Sequence, residues 1–380
     1  MFENLSIETL QNYWWIIISL LGSLLVFLMF VQGGQTLIWQ IGKTENEKSL
    51  LINSIGKKWD LTFTTLVTFG GAFFASFPLF YSTSFGGAYW VWMLILFGFI
   101  LQAVSFEYRK KAGNFLGAKT YEFFLLLNGI LAPVLIGAAV STFFTGSDFF
   151  VNEYNLSRWE HPARGLEAAL NIQNLSLGLA VFFLTRIIGA QFFILTIDQK
   201  EIAKRAKKQI LLNTIPFLIT FLTFVVLLLL KDGFAVNPDT GIVSIEAYKY
   251  LHNLLQMPLV LILFFVGVIL VLTGIYFSIL KNSSKGINFS GAGAILTAFS
   301  LFMLAGFNNT AFYPSTFDLQ SSLTIRNSSS SHYTLAAMSY VSLFVPFVIA
   351  YIWWAWRALT KKKMTEQEIE EIKNEGGHLY

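Results

Sequence analysis

At 380 residues, with 55% hydrophobic and only 13% charged side chains and a mean hydropathy of +0.60, this chain is not an ordinary soluble domain, which carries roughly twice that charge. It has no cysteine, so disulfides, thiolate-bound zinc and Fe–S clusters are excluded. The net charge of +4 belongs to loops between apolar stretches, and no basic stripe with base-stacking aromatics marks a nucleic-acid surface.

The first ten residues hold Glu3 and Glu8 and no Lys or Arg, and the apolar run behind them is too long for a signal-peptide core. The first helix is therefore expected to stay in the mature protein. About 20 apolar residues in a helix cross about 30 Å of hydrocarbon, and only helices or closed barrels satisfy their backbone in lipid. The stretches lack the period-2 alternation of barrel strands, so helices are predicted. Nine spans are expected, at 11–34, 60–82, 87–108, 120–144, 174–198, 209–230, 257–280, 289–312 and 333–359.

Twenty of the 26 Lys and Arg follow the odd-numbered spans. Lys43, Lys48, Lys57 and Lys58 follow the first. Arg109, Lys110, Lys111 and Lys119 follow the third, and Lys200, Lys204, Arg205, Lys207 and Lys208 the fifth. Lys281 and Lys285 follow the seventh; Arg357, Lys361, Lys362, Lys363 and Lys373 lie at and beyond the ninth. The positive-inside rule then puts the N-terminus outside and the C-terminus in the cytoplasm. Tryptophans agree: Trp14, Trp15, Trp90 and Trp92 fall near outer ends, and Trp39, Trp59, Trp353, Trp354 and Trp356 near inner ends. The longest outside loops, 145–173 and 231–256, each have room for a short amphipathic helix. The tail from 364 reads as a short helix opened by Thr365 with Glu368 three residues on.

Histidine limits the chemistry. His161, His252, His332 and His378 all fall in outside loops or the tail. Haem in a helical bundle takes an axial His, Met or Cys from a helix. Met29, Met93, Met303 and Met338 lie within spans, but no span histidine pairs with them. The chain is expected to ligate no haem and no metal, and to carry no catalytic residue of its own.

Ionisable groups at membrane depth are costly and therefore informative. Arg186 lies near the middle of the fifth span, where it should face the bundle interior and meet a carboxylate, backbone carbonyls or water. It is either a member of a proton or ion path, charge balance for a partner's cofactor, or a clamp between helices. Asp60 opens the second span and reads either as an N-cap or as a proton collector at the cytoplasmic mouth. Glu107, Glu122 and Asp198 share its level, either as an acidic ring at that mouth or singly as interface residues. Gly70, Gly71, Ala72 and Ala75, and Gly291 through Ala294, are small enough for helices to approach closely.

Several runs resemble subunit II of the cytochrome bd quinol oxidase family. They are Asn53-Ser-Ile-Gly-Lys-Lys-Trp-Asp60, Thr68-Phe-Gly-Gly-Ala-Phe-Phe-Ala-Ser-Phe-Pro78 with Tyr81 and Phe85, and Phe106-Glu-Tyr-Arg109. Ser322-Leu-Thr324, Ser330-Ser331, Thr334-Leu335 and Pro346 fit its last outside loop and ninth helix, and Trp14-Trp15 and His378-Leu-Tyr380 fit as well. The resemblance runs end to end. It implies an all-α polytopic fold of two four-helix bundles plus one peripheral helix: 1–144 as the first bundle, 145–312 as the second with outside loops, 313–363 as the ninth helix with its preceding loop, and 364–380 as a cytoplasmic tail.

It also implies a heterodimer with a haem-bearing subunit I that holds two haems b and one haem d. That complex oxidises quinol, reduces oxygen to water and takes protons from the cytoplasm, in the inner membrane of a bacterium. A small single-helix subunit, lipid and quinone are further expected partners, and no nucleic acid is. One departure touches the proton route. Many members carry an Asp-Gly-Phe-Asp-x-Gly run late in helix one, where this chain reads Leu28-Met-Phe-Val31-Gln32-Gly33. The Gly-Asn-Glu/Gln after Asp60 becomes Leu61-Thr-Phe63, and Glu122 stands for an aspartate early in helix four. Asp60, Glu107, Glu122 and Arg186 are the remaining proton-path candidates. The rival readings are a secondary transporter and a structural subunit of another membrane complex, although no pair of Gly/Pro-broken helices at matching positions supports the first.

Overall fold

Ser6 starts the first long helix by accepting the Thr9 N–H, so the apolar run behind it begins with a satisfied end. In the computed structural model, which describes residues 2–111, 113–281 and 283–365, that run forms α1 (Ile7–Leu28), α2 (Phe30–Gln35) and a short α3 (Ile38–Ile41). The chain then folds back as α4 (Glu45–Gly56), opened by a capping box between Thr44 and Glu47. Next come α5 (Trp59–Ser76), α6 (Pro78–Phe80), α7 (Tyr89–Tyr108), α8 (Ala118–Thr145), α9 (Ile172–Thr196) and α10 (Lys200–Leu230). A short α11 (Lys249–Gln256) precedes α12 (Pro258–Ile279) and α13 (Gly286–Gly306), and α14 (His332–Ser342) and α15 (Val345–Thr360) form the last stretch.

Among the described residues, eight helical segments are long and apolar enough to cross a bilayer. They coincide with eight of the nine expected stretches. The second differs from its expected 60–82. Pro78 disfavours helix at the residue before it, so α5 stops at Ser76, and Tyr81–Gly86 winds as a wider π turn. Asp60 and the threonines at 62, 64, 65 and 68 also leave α5 less apolar than its neighbours. At α10 the helix begins at Lys200 instead of 209. Ile202, Ala206 and Ile210 are buried there while Lys200, Lys204 and Lys208 stay exposed, so one amphipathic extension carries the helix out of the apolar layer.

The connections are not wholly helical. β1 (Phe149–Val151) pairs antiparallel with β2 (Ser157–Trp159), Phe149 opposite Trp159. β3 (Gly233–Val236) pairs antiparallel with β4 (Val243–Glu246). The loop 145–173 thus holds a hairpin and a 3-10 turn where an amphipathic helix was expected, and only 231–256 supplies one, as α11.

α1 packs on α5 and α13, α2 on α8 and α9, α7 on α8, α9 on α10, and α12 on α13. Small residues set the last contact: a Cβ on Gly293 would lie 2.5 Å from the Gly267 carbonyl oxygen. The other small run behaves differently, since a Cβ on Gly71 would meet nothing within 4 Å. Trp15 is fully buried and donates from Nε1 to the Phe302 carbonyl, tying α1 to α13. α14 is held by Trp14 Nε1, which donates to Leu335 O and Ser339 Oγ. α15 is mostly exposed and touches the body through Trp356, packed among Phe27, Phe30 and Phe192. Met364 then exchanges backbone hydrogen bonds with Thr196 and Asp198. Glu368, the partner in the expected cap, and His378 lie outside the described residues.

Candidate functional site

At the lysine-rich end, the connector α4 lies against the C-terminus of α7 and the first turns of α8, and four charges converge there. Glu122, only 2% exposed, accepts from Arg109 Nε at 3.1 Å and Nη2 at 2.6 Å through one oxygen, and from Trp39 Nε1 at 2.7 Å through the other. Lys48 Nζ stands 2.9 Å from Glu45 and 3.5 Å from Glu122, and Glu45 stands 3.5 Å from Arg109. Two cations thus face two carboxylates. The hydrogen bond from Lys48 holds Glu45 below the usual carboxylate range, and the same bond pushes Lys48 up. A second pair, Arg205 with Glu47, fixes α4 to the amphipathic start of α10. The sequence singled out Glu122 alone; Trp39 joins it from α3, and Glu45 and Lys48 join it because α4 folds back.

Each of the acids at this level has its own setting. Asp60 is exposed at the second position of α5, and the N-cap position is Lys58, which makes no capping bond. Glu107 is exposed and pairs with Lys111 one turn on. Asp198 is exposed beside the Met364 bridge. Glu122 is ion-paired and covered, so the acids that share this level face different surroundings.

Arg186 is buried, as its depth required, and meets no carboxylate among the described residues. Its Nε donates to Asn213 Oδ1 at 2.6 Å, Nη1 to Thr36 Oγ1 at 2.7 Å and Nη2 to Gln40 Oε1 at 2.7 Å, with the Phe182 ring 5.5 Å from its centre. Neutral oxygens from α2–α3 and α10 therefore spread its charge. Lys58 is its counterpart nearer the surface. Its ammonium is buried, has no hydrogen-bond partner among the described residues and lies 4.4 Å over the Trp356 ring. Burial lowers its pKa to about 8.

Four buried amides escaped the sequence reading: Gln32, Gln35, Gln102 and Asn128. Their signal was there, since each is an amide in an otherwise apolar run, but periodicity does not say which faces meet. The histidines lie away from all of this. His161 and His252 are exposed against Glu167 and Glu246, and His332 begins α14 with its Nε2 at 2.8 Å from Leu5 O. Among the described residues no group of His, Cys, Asp and Glu is placed to hold a metal ion.

Comparison with known proteins gives one consistent relation. A family model described as cytochrome bd terminal oxidase subunit II matches residues 10–359. The probable cytochrome oxidase subunit 2 of Haemophilus influenzae is 29% identical over 365 residues, covering 92% of this chain and 94% of that one. The cytochrome bd-I ubiquinol oxidase subunit 2 of Escherichia coli K12 is 27% identical over 384 residues, covering 96% and 97%. The Bacillus subtilis cytochrome bd ubiquinol oxidase subunit 2 is 25% identical over 361 residues, covering 93% and 97%. In fold, a chain of the bd oxidase from Geobacillus thermodenitrificans superposes with a TM-score of 0.54 at 11% identity, covering 91% of this chain and 98% of that one.

Proposed function

The chain belongs to the cytochrome bd terminal oxidase subunit II family, and from that membership we propose the part it takes in a respiratory quinol oxidase. It is a subunit of that membrane enzyme, which oxidises quinol, and it works with a partner subunit. The transporter reading is set aside. In our reading this subunit ligates no haem: two haems b and one haem d belong to subunit I, as does the catalytic chemistry. The observation that carries this is the placement of His161 in a loop, His252 on the short connector α11 and His332 at the start of α14, each with a polar partner of its own. Met29 and Met303 are buried, and the three described histidines are engaged elsewhere, so the described residues do not fit axial ligation.

The finer architecture follows the same reading. α5, although less apolar, is the ninth crossing; α1–α2, α5, α7 and α8 form one bundle, α9, α10, α12 and α13 the other, and α14–α15 stand apart as the peripheral helix. The lysine-rich end faces the cytoplasm of a bacterium and the N-terminus faces outward. A small single-helix subunit and bound lipid or quinone complete the partners. Protons reach the complex from the lysine-rich end: exposed Asp60 and Glu107 collect them, while the Glu122–Arg109 pair holds the mouth open and Arg186 fixes the helix break beyond it. The test is the absorption spectrum of oxidase purified through a tag on this chain. Haem d in the red supports the reading, and a haem-free preparation with no quinol oxidase activity overturns it.

A further inference from the structure

Among α8, α9, α10, α12 and α13, with Met29 at the end of α1 on one side, lies a cavity of about 80 Å³. The sequence explains why space is left there. Glycines close the helices in pairs along separate seams. A Cβ on Gly178 of α9 would lie 2.5 Å from the Val134 carbonyl oxygen of α8, and one on Gly274 of α12 would lie 2.5 Å from the Gly286 carbonyl oxygen of α13. Across from α12, α10 presents rings, with Phe221 stacked on Phe264 at a centroid separation of 6.3 Å. Between these seams the lining includes Gly137, Ala180, Ala294 and Ala298, whose side chains are too short to fill the middle.

The lining decides what the cavity can hold. Thr297 supplies its one polar side chain among the described residues, and that hydroxyl has no hydrogen-bond partner among them. An internal water needs about two to four polar partners, so one hydroxyl does not retain it; apolar cavities of this kind stay dry and take up apolar guests such as benzene or xenon. Size narrows the guest further. A water-sized molecule takes about 30 Å³ in the liquid, so a space of about 80 Å³ admits about two small molecules. An acyl chain or an isoprenoid quinone is many times larger. The cavity also has a thin outer wall. Leu272, 41% exposed, and the half-buried Leu218 and Val268 line it on one side and face outward on the other. In a membrane-spanning chain that outer side is hydrocarbon, where apolar gases dissolve more readily than in water.

We propose that this cavity is a binding site for a small apolar gas, dioxygen in the working oxidase, which enters sideways from the bilayer between α10 and α12. Binding is reversible and makes no bond: dispersion contact with the lining replaces contact with lipid tails, and no polar group is uncovered or stripped of a partner. Leu218 and Leu272 form the gate, opened by rotamer changes of exposed side chains. Dioxygen as the guest rests on the oxidase reading above; the gas site does not.

Crystals of the intact oxidase held under xenon pressure test it. An anomalous xenon peak between Ala180, Ala294 and Phe221 is expected. It should vanish in Ala294→Leu, whose side chain takes the space, with haem content unchanged. Crystals of the oxidised enzyme, without quinol to consume the gas, should show the same position filled under dioxygen pressure. No xenon peak there in the unaltered oxidase, or an acyl or isoprenoid chain already filling the cavity, overturns the site. Xenon without dioxygen at that position overturns the guest. Should Ala294→Leu not assemble, the unaltered oxidase decides alone, since xenon bound only elsewhere contradicts the proposal. Haem spectra answer the oxidase reading separately, so either can fail alone.

Discussion

Arg109 and Glu122 close a two-pronged ion pair, 3.1 Å and 2.6 Å through one carboxylate oxygen, with both side chains essentially out of solvent. It binds the end of α7 to the start of α8 and makes Glu122 an anchor of the mouth. Removing one member strands a buried charge, which typically costs about 3–5 kcal/mol, whereas replacing both by apolar groups of similar size is far milder. Arg109→Met should therefore lower the thermal stability of the purified complex more than the double variant with Glu122→Met does. Additive losses in unfolding scans would contradict this account of the pair.

Arg186 makes the opposite case, a cation held by neutral oxygens alone. A lysine keeps the charge but cannot present the planar fork that reaches Asn213, Thr36 and Gln40 together. Methionine loses the bonds but has no charge to bury. Arg186→Lys should be the less stable variant, by roughly 2 kcal/mol from the bonds it forfeits while still charged. Equal stability in denaturation, or a more stable lysine variant, would show that the fork is not what holds the α2–α3 break.

Lys58 predicts a pH dependence. Burial lowers its pKa to about 8 from 10.5, so between those values the unfolded chain binds more protons than the folded one, and stability rises with pH. Below about pH 8 the cost of keeping the ammonium buried is present in full, partly offset by the Trp356 face at 4.4 Å. Lys58→Met should raise the melting temperature at neutral pH and flatten the slope between about pH 8 and 10.5. A slope unchanged in that variant would assign it to another group.

Asp60 is exposed and caps nothing, so Asp60→Asn should leave assembly and haem content intact. If it collects protons for the complex, oxygen consumption with quinol should fall severalfold, most at high pH where protons are scarce. Unchanged consumption in a normally assembled complex would reduce Asp60 to a surface residue.

Much of the fold was readable because lipid leaves few options: length, apolarity and the alternation of lysines gave eight stretches their limits within a few residues, apart from the start of α10 and the end of α13, which stops at Gly306 instead of 312. α5 blurred because four threonines and Asp60 dilute its apolar signal, and because Pro78 ends it before the apolar run does. The hairpins in the loops 145–173 and 231–256 were missed, since pairs of three- and four-residue strands have no periodicity to detect. Arg186 could be found from the cost of burying charge and Glu122 from its level beside Asp60, but their partners could not. Glu45 and Lys48 reach Glu122 only because α4 folds back, Trp39 reaches it from α3, and Thr36, Gln40 and Asn213 meet Arg186 across three separate elements.

The most direct measurement is haem content with and without the partner. Membranes expressing a tagged form of this chain together with subunit I should yield a preparation with the bands of haem b and haem d. The same tagged chain, purified from cells lacking subunit I, should carry no stoichiometric haem. A haem retained by the chain in the absence of its partner, lost on substitution of one of its own methionines or histidines, would contradict the central claim.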